Sequence, residues 1–286
     1  MRDFTSISPS AKSLLLMKGL TDIPFMADAV KLIWGKGTLE ALDRNAMNAG
    51  FLKRLFHFEI RYKSIDILLD KIKPKNIIEL SSGYSFRGLN KVMNNPKITY
   101  IDTDLPEVIE TKSSLTKSFI EQKQLDLKGH LHTLPLNVLD KQAFLDTVSK
   151  FPKGPVTIVN EGLLVYLNTE EKQQLCRNIH QILSERGGYW ITGDIYIKKN
   201  FPIDTADDGF SDFLKAHNVE DNKFESFEQA EQFFKEQGFI IHKKAQRGLG
   251  QLSTIRYAGV ARFTGIIAQA ARIGKIRDTW ALVPAK

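Results

Sequence analysis

After Pro74 the chain alternates short apolar runs with amphipathic stretches, and this alternation constrains the fold more than any other feature. The apolar runs are NIIEL at 76–80, ITYIDT at 98–103, HLHTLPL at 130–136, VTIVN at 156–160 and GYWITGDIYI at 188–197. Apolar residues recur at helical spacing between them, at 84–93, 106–124, 140–150 and 169–185. Strands that alternate with helices form parallel sheets through crossover connections. The sequence therefore predicts an α/β fold with a doubly wound, mostly parallel sheet.

The two ends of the chain differ from this pattern. Residues 1–73 have helical spacing throughout, so we expect a helical N-terminal cap, with a second unit over 74–286. Near the C-terminus, FIIHKKAQ at 239–246 and TWALVPA at 279–285 are typical of strands. An antiparallel edge hairpin made of these two would bring the sheet to seven strands. Residues 198–225 and 247–277 are interpreted as insertions that cover the sheet as a lid.

Composition limits the class of protein. The 286 residues are 42% hydrophobic and 26% charged, without an apolar run long enough to span a membrane, and with Cys176 as the one cysteine. No secretory signal is evident, so we expect a cytoplasmic protein without a membrane partner. From residue 240 onwards nine lysines and arginines stand against a single acid, Asp278. A solvated basic face and a site for anionic partners both fit this asymmetry.

Ligands of open α/β sheets bind beyond the C-terminal ends of the strands, so the loops there are the first place to look for a site. The first strand is followed by the loop in ELSSGYSFRG, where small residues allow close approach of backbone to a ligand. Asp104 follows the second strand, 25 residues beyond Glu79, where a carboxylate can accept hydrogen bonds from ribose hydroxyls. Asp102 is expected to face the other way. Ser81 replaces the first glycine of a dinucleotide fingerprint, and no P-loop is present.

Three blocks carry a specific resemblance: NIIELSSGYSFRGLN, YIDTDLPEVIETKSSL and VNEGLLVYLNTEEKQQLCRNIHQIL. In these the chain resembles the leucine carboxyl methyltransferase family, including its bacterial polyketide O-methyltransferase branch, over residues 8–197. That family comprises class I O-methyltransferases that use S-adenosylmethionine. The resemblance therefore implies the class I methyltransferase fold and S-adenosyl-L-methionine as the cofactor.

The resemblance implies eight cofactor-binding residues: Arg61, Glu79, Ser81, Gly83, Asp104, Asn137, Val138 and Glu161. In it Asp104 is similar to the ribose-binding acid, and Glu161 to an acid that faces the methionine end of the cofactor. Arg61 resembles an arginine that pairs with the cofactor carboxylate, although Lys63 could be the matching residue. Ser81 stands where the family usually has glycine, and Asn137 where it commonly has aspartate.

Two further residues are candidates for binding the substrate, Arg87 and Tyr166. Arg87 matches an arginine that follows the loop in many members, but it could instead pair with Glu79. Tyr166 could equally be a core residue. No catalytic base is identified among the scattered histidines. His130 and His132 share one face of a strand, but a third ligand is missing, so no metal site is expected.

The predicted function is S-adenosylmethionine-dependent transfer of a methyl group to a carboxylate or hydroxyl of a small-molecule acceptor. A carboxylate is already ionised at neutral pH, whereas an alcohol or phenol needs a base. The lack of a candidate base favours a carboxylate or an acidic phenol. Two alternatives remain open. One is a cofactor-binding module with weak catalysis, suggested by Ser81 and Asn137, and the other is a nucleic-acid methyltransferase that uses the basic C-terminal segment. The oligomeric state is not predicted.

Overall fold

A computed structural model describes residues 8–45, 49–198, 209–246, 251–257 and 275–285. Four helices precede the sheet: α1 (Ser8–Lys18), α2 (Met26–Trp34), α3 (Thr38–Asn45) and α4 (Ala49–Ile72). Strands and helices then alternate as β1 (Asn76–Leu80), α5 (Arg87–Asn94), β2 (Thr99–Asp104), α6 (Pro106–Lys123), β3 (His130–Pro135), α7 (Lys141–Ser149), β4 (Val156–Asn160), α8 (Thr169–Arg186) and β5 (Gly188–Tyr196). The C-terminal part adds α9 (Gly209–Ala216), α10 (Phe227–Glu236), β6 (Phe239–Lys244) and β7 (Arg277–Pro284).

The seven strands form one sheet in the order β3-β2-β1-β4-β5-β7-β6. The first five strands are parallel, while β7 lies between β5 and β6 and runs antiparallel to both. This confirms the predicted doubly wound, mostly parallel sheet with antiparallel pairing at one edge. The strand order reverses between β1 and β4, and this switch point is where ligands of such sheets bind.

Helices cover both faces of the sheet. On one face α4 and α5 bury a layer that includes Ile77, Tyr100 and Val159. On the other, α7, α8 and α10 pack on a larger cluster that includes Trp190 and Trp280. Burial on both faces explains why the central strands β1 and β4 are buried at every position, as their continuous apolar sequences predicted.

Local signals set several helix boundaries. Pro106 begins α6, where a missing N–H has no consequence because the first turn has no partner for it. Asn168 and Glu171 form a capping box at the start of α8, each side chain accepting the other residue's backbone N–H at 2.9 Å. Gly187 ends α8 with a φ of 70°, in the left-handed region that favours glycine.

The N-terminal helices pack directly on the α/β unit. Leu15 of α1 and Met26 of α2 share a buried cluster with Phe86 beside α5 and with Val108 and Phe119 of α6. The division at residue 73 stays a prediction. Of the two predicted insertions, 199–208, 247–250 and 258–274 lie outside the described residues, and so do Arg247, Arg262 and Arg272.

A short segment of the second insertion is described, residues 251–257, and we call it the strap. It lies against α4, where the buried carboxylate of Glu59 accepts hydrogen bonds from Ser253 and Thr254, through both backbone N–H and hydroxyl groups at 2.5–3.0 Å. The strap also reaches the turn after α1, because the hydroxyl of Ser253 accepts from the N–H of Asp22 at 3.0 Å. None of the described helices combines the length and apolar character needed to cross a membrane.

Candidate functional site

A cavity opens at the C-terminal ends of β1, β2 and β4, beside the switch point. Its sheet side is formed by the loops after these strands and after β3, and α1 closes it from above. All eight residues predicted to bind the cofactor line this cavity. Arg61 comes from α4, and the other seven lie near or after the end of a strand: Glu79, Ser81, Gly83, Asp104, Asn137, Val138 and Glu161. The structure thus brings together residues as far apart in the chain as Arg61 and Glu161, which are separated by 100 positions.

The turn after β1 contains two residues with left-handed backbone angles. Ser81 has a φ of 48° and Gly83 a φ of 51°, both in the left-handed region that favours glycine. The N–H of Gly83 donates to the carboxylate of Asp104 at 2.7 Å, and the N–H of Leu105 donates to its other oxygen at 2.7 Å. Burial raises the pKa of Asp104, and these two donors oppose that change. Asp104 is therefore fixed at the end of β2 with its carboxylate at the cavity wall.

The expectation that Asp102 faces away from Asp104 is wrong. Residues two apart in a strand project from the same face, and the structure shows Lys112 of α6 near both carboxylates. Asp102 is buried and lies 3.0 Å from the Lys112 ammonium, which also donates to the hydroxyl of Ser82 at 2.8 Å. Burial raises the pKa of Asp102 to about 6, against the lowering effect of Lys112. Through Lys112, Asp102 supports the turn that contains Ser82. Asp102 is not among the described residues that line the cavity.

Glu161, directly after β4, is surrounded by three cations. Its carboxylate accepts from Lys18 of α1, from Nε of Arg61 at 3.2 Å and from Nη2 of Arg87 at 3.0 Å. Burial raises the pKa of Glu161, but Lys18, Arg61 and Arg87 outweigh it and hold the pKa well below its usual range. Burial lowers the pKa of Lys18, which sits in the same desolvated cluster. The group therefore forms a charged end of the cavity, with a carboxylate that is ionised at neutral pH.

Arg61, and not Lys63, reaches this charged end. Arg61 also donates to the hydroxyl of Tyr196 at 3.1 Å. Lys63 lies on another side of α4, where it pairs with Asp22 at 2.7 Å and with Glu59 at 2.8 Å. Lys63, the alternative candidate for pairing with the cofactor carboxylate, thus lies beside the strap and away from the cavity.

Arg87 pairs with Glu79, which was the second interpretation of its role. Its guanidinium is 1% exposed and also contacts Asp66 at 2.8 Å. The hydroxyl of Tyr100 donates to the other oxygen of Glu79 at 2.6 Å. Among the described residues Arg87 is not part of the cavity wall, so its predicted contact with a substrate has no counterpart in the geometry.

The remaining predicted residues form the two sides of the cavity. Asn137 and Val138 follow β3, and the side-chain oxygen of Asn137 accepts from the N–H of Leu139 at 3.0 Å. Tyr166 lines the opposite side and also packs in a buried cluster with Val165 and Tyr196. Tyr166 therefore lies both in the cavity wall and in the core, and its binding of a substrate stays a prediction.

Sequence reasoning missed two residues that shape the site. Lys18 comes from α1, and nothing in its local sequence separates it from other helix lysines. Asp194 lies within β5, where its carboxylate accepts from the N–H groups of Gly162, Leu163 and Leu164 at 2.7–3.2 Å and so fixes the loop after β4. An aspartate inside a buried strand was the available signal, since such a carboxylate needs partners.

Sequence comparison identifies the relatives of this chain. The profile of the leucine carboxyl methyltransferase family matches residues 8–180. The chain belongs to this family. Leucine carboxyl methyltransferase 1 of Kluyveromyces lactis is 24% identical over 162 residues, which cover 47% of this chain and 48% of that protein. The chain thus matches about half of the length of this curated relative. The family resemblance predicted from the three sequence blocks is confirmed.

Solved structures with a similar arrangement include two O-methyltransferases. One comes from neocarzinostatin biosynthesis, in complex with S-adenosylmethionine and 2-hydroxy-5-methyl naphthoic acid, at 10% identity and a TM-score of 0.49, covering 97% of this chain and 69% of that one. The other is a mitomycin 7-O-methyltransferase at 11% identity and a TM-score of 0.48, covering 92% of this chain and 69% of that one. The leucine carboxyl methyltransferase family uses S-adenosylmethionine, the cofactor predicted from the sequence.

Proposed function

We propose that this protein is an S-adenosylmethionine-dependent O-methyltransferase that acts on a carboxylate of a small molecule. The observation that carries the proposal is the cavity at the switch point, where the eight residues predicted to bind the cofactor meet beneath α1. Family membership supports the reaction type, and the residues of the cavity support the choice of acceptor.

The cavity has the polar groups that this cofactor requires. Asp104 uses each oxygen once for a backbone N–H, and each oxygen retains the capacity to accept from a ribose hydroxyl. Gly83 leaves room beside it, because among the described residues a Cβ there would meet only Ala11 of α1, at 3.7 Å. At the other end, Lys18 and Arg61 are placed to bind a carboxylate and Glu161 an ammonium group. These residues fit the ribose and the amino-acid end of S-adenosylmethionine.

When bound, the cofactor supplies an electrophilic methyl group, and the protein supplies binding and alignment. The apolar wall made by α1, by the start of α2 and by the loop after β4 orients the acceptor and keeps water out. This wall consists of Ala11, Leu14, Leu15, Met26, Leu163 and Leu167. Alignment of the acceptor oxygen is thus the main contribution of the chain to the rate.

The titratable groups of the cavity favour an acceptor that is already ionised. Glu161 is a poor base, because three cations hold its pKa well below the usual range. Glu79 is bonded to Arg87 and Tyr100, and Asp104 is assigned to the ribose. No histidine lines the cavity among the described residues. A carboxylate needs no proton removed at neutral pH, so an acid can accept the methyl group without a base from the cavity.

The nucleic-acid alternative receives less support from the described basic residues near the C-terminus. Lys275 pairs with Asp278 at 2.6 Å, and Lys244 lies 3.7 Å from Glu231. Basic side chains that already pair with acidic partners attract the phosphate groups of a nucleic acid only weakly. We therefore favour a small molecule over a nucleic acid as the acceptor.

The test is transfer of a tritiated methyl group from S-adenosylmethionine to a panel of apolar carboxylic acids and matched phenols. Methyl esters release methanol in mild alkali, whereas methyl ethers do not, so the product class follows from base lability. We expect alkali-labile product from at least one acid, accompanied by an equal amount of S-adenosylhomocysteine.

Alkali-stable product from phenols alone would reject the carboxylate acceptor and keep the methyltransferase. Binding of S-adenosylhomocysteine without any transfer across the panel would favour the weakly catalytic binding module. A wild-type protein that binds neither form of the cofactor would reject the proposed function itself.

A further inference from the structure

Arg87 joins two strands that lie on opposite sides of the switch point. Its Nη1 donates to Glu79, near the end of β1, and its Nη2 donates to Glu161, just after β4, at 3.0 Å. The strand order reverses between these two neighbouring strands. One guanidinium therefore fixes the distance between two carboxylates that line the cavity.

The surroundings hold this guanidinium in one orientation. Its Nε donates to Asp66 of α4 at 2.8 Å, and its central carbon lies 4.0 Å from the centre of the Tyr62 ring. The planar fork of arginine can bond two carboxylates at once, which the single ammonium of lysine cannot do in the same geometry. Since the side chain is 1% exposed, it is enclosed by protein rather than presented to a ligand.

We propose that Arg87 is a positioning residue, which holds Glu79 and Glu161 in register across the switch point and does not contact the methyl acceptor. The proposal rests on the proposed function, because the two carboxylates matter only if the cavity holds the cofactor. It replaces the substrate-binding role predicted for Arg87 from the sequence.

The consequence is measurable at Glu161. The charged and titratable groups around this carboxylate are Lys18 of α1, Arg61 and Tyr62 of α4, Glu79 of β1, Arg87 of α5 and Arg277 of β7. Removing Arg87 takes away one of the three cations that bond Glu161 directly, so its carboxylate titrates at a higher pH. A residue that only filled space in the core would not change this titration.

The experiment compares Arg87→Met, Arg87→Lys and Asp66→Asn in the full chain. Asp66→Asn is the matched control, since Asp66 touches the same guanidinium but stands at neither strand end. Calorimetry gives the Kd for S-adenosylhomocysteine, thermal unfolding reports the fold, and carbon-13 NMR of the ligand-free protein follows the titration of Glu161.

We expect Arg87→Met to raise the Kd at least about tenfold and to move the titration of Glu161 to higher pH. Arg87→Lys keeps the charge. Compared with Arg87→Met, it should therefore restore thermal stability more fully than affinity for S-adenosylhomocysteine. Asp66→Asn should leave the Kd within about twofold of wild type, a change smaller than one hydrogen bond to a charged group produces.

A folded Arg87→Met protein with the wild-type Kd and an unchanged Glu161 titration would overturn the proposal. So would Asp66→Asn weakening binding as much as Arg87→Met. Should Arg87→Met not fold, wild-type affinity in Arg87→Lys would overturn it. If the wild-type chain itself does not bind S-adenosylhomocysteine, the proposed function fails, and the NMR titration alone then decides whether Arg87 positions Glu161.

Discussion

Replacing Asp104 with alanine tests the proposed ribose end of the cofactor site. The substitution removes the proposed acceptor of the ribose hydroxyls, and hydrogen bonds to a charged group contribute about 1.5–3 kcal/mol. That loss corresponds to a rise in Kd of about tenfold to 150-fold. The substitution also removes the acceptor of the Gly83 and Leu105 N–H groups, so the turn after β1 and the start of α6 each lose a hydrogen bond of 2.7 Å.

The assay is calorimetric titration with S-adenosylhomocysteine, with thermal unfolding measured on the same samples. Asp126→Ala, at an exposed position in the loop after α6, is the control for a lost negative charge. It should bind like wild type. An Asp104→Ala protein that stays folded and keeps the wild-type Kd would refute the assignment of Asp104 to the ribose.

Three further predictions concern stability. Ser81→Gly should raise the free energy of unfolding by up to about 1 kcal/mol in urea titrations, because Ser81 has a φ of 48°, and a decrease would contradict this explanation. Asp102→Ala should lower it by about 3–5 kcal/mol, because the buried Lys112 ammonium loses the carboxylate that pairs with it, and a loss below about 1 kcal/mol would show that the pair matters little. The hydrogen bonds to Glu59 lower its pKa from 4.5 to about 2 despite burial, so its stabilising effect is present above pH 4.5 and lost as the pH falls towards 2. The difference in unfolding free energy between wild type and Glu59→Gln should therefore shrink over that range, and a constant difference would be the contrary result.

The sequence predicted the centre of the sheet better than its edges. Strands β1 and β4 have the predicted bounds. Burial on both faces gives each strand a continuous apolar run, and turn residues mark where that run begins and ends. Strand β2 extends to Asp104 and the edge strand β3 ends at Pro135, one residue from prediction in each case. The position of β7 between β5 and β6 could not be derived from local pattern, since 32 residues separate β6 from β7 and their pairing is long-range.

The same distinction applies to the site. Asp104 and Glu161 could be located because residues at C-terminal strand ends converge in a parallel sheet, whatever their separation in sequence. Lys18 could not, because it bonds Glu161 across 143 residues through the packing of α1, which no strand pattern encodes. The role of Arg87 was ambiguous for a related reason. A basic residue after a loop is compatible with a ligand or with a buried partner, and only its burial against Glu79 distinguishes them.

A crystal structure of the chain with S-adenosylhomocysteine is the most direct test of the account. We expect the ligand in the cavity beside β1 and β4, with its ribose hydroxyls within hydrogen-bond distance of Asp104 and its amino-acid end against Lys18, Arg61 and Glu161. Ligand bound elsewhere, or a ribose that contacts neither oxygen of Asp104, would contradict the central claim.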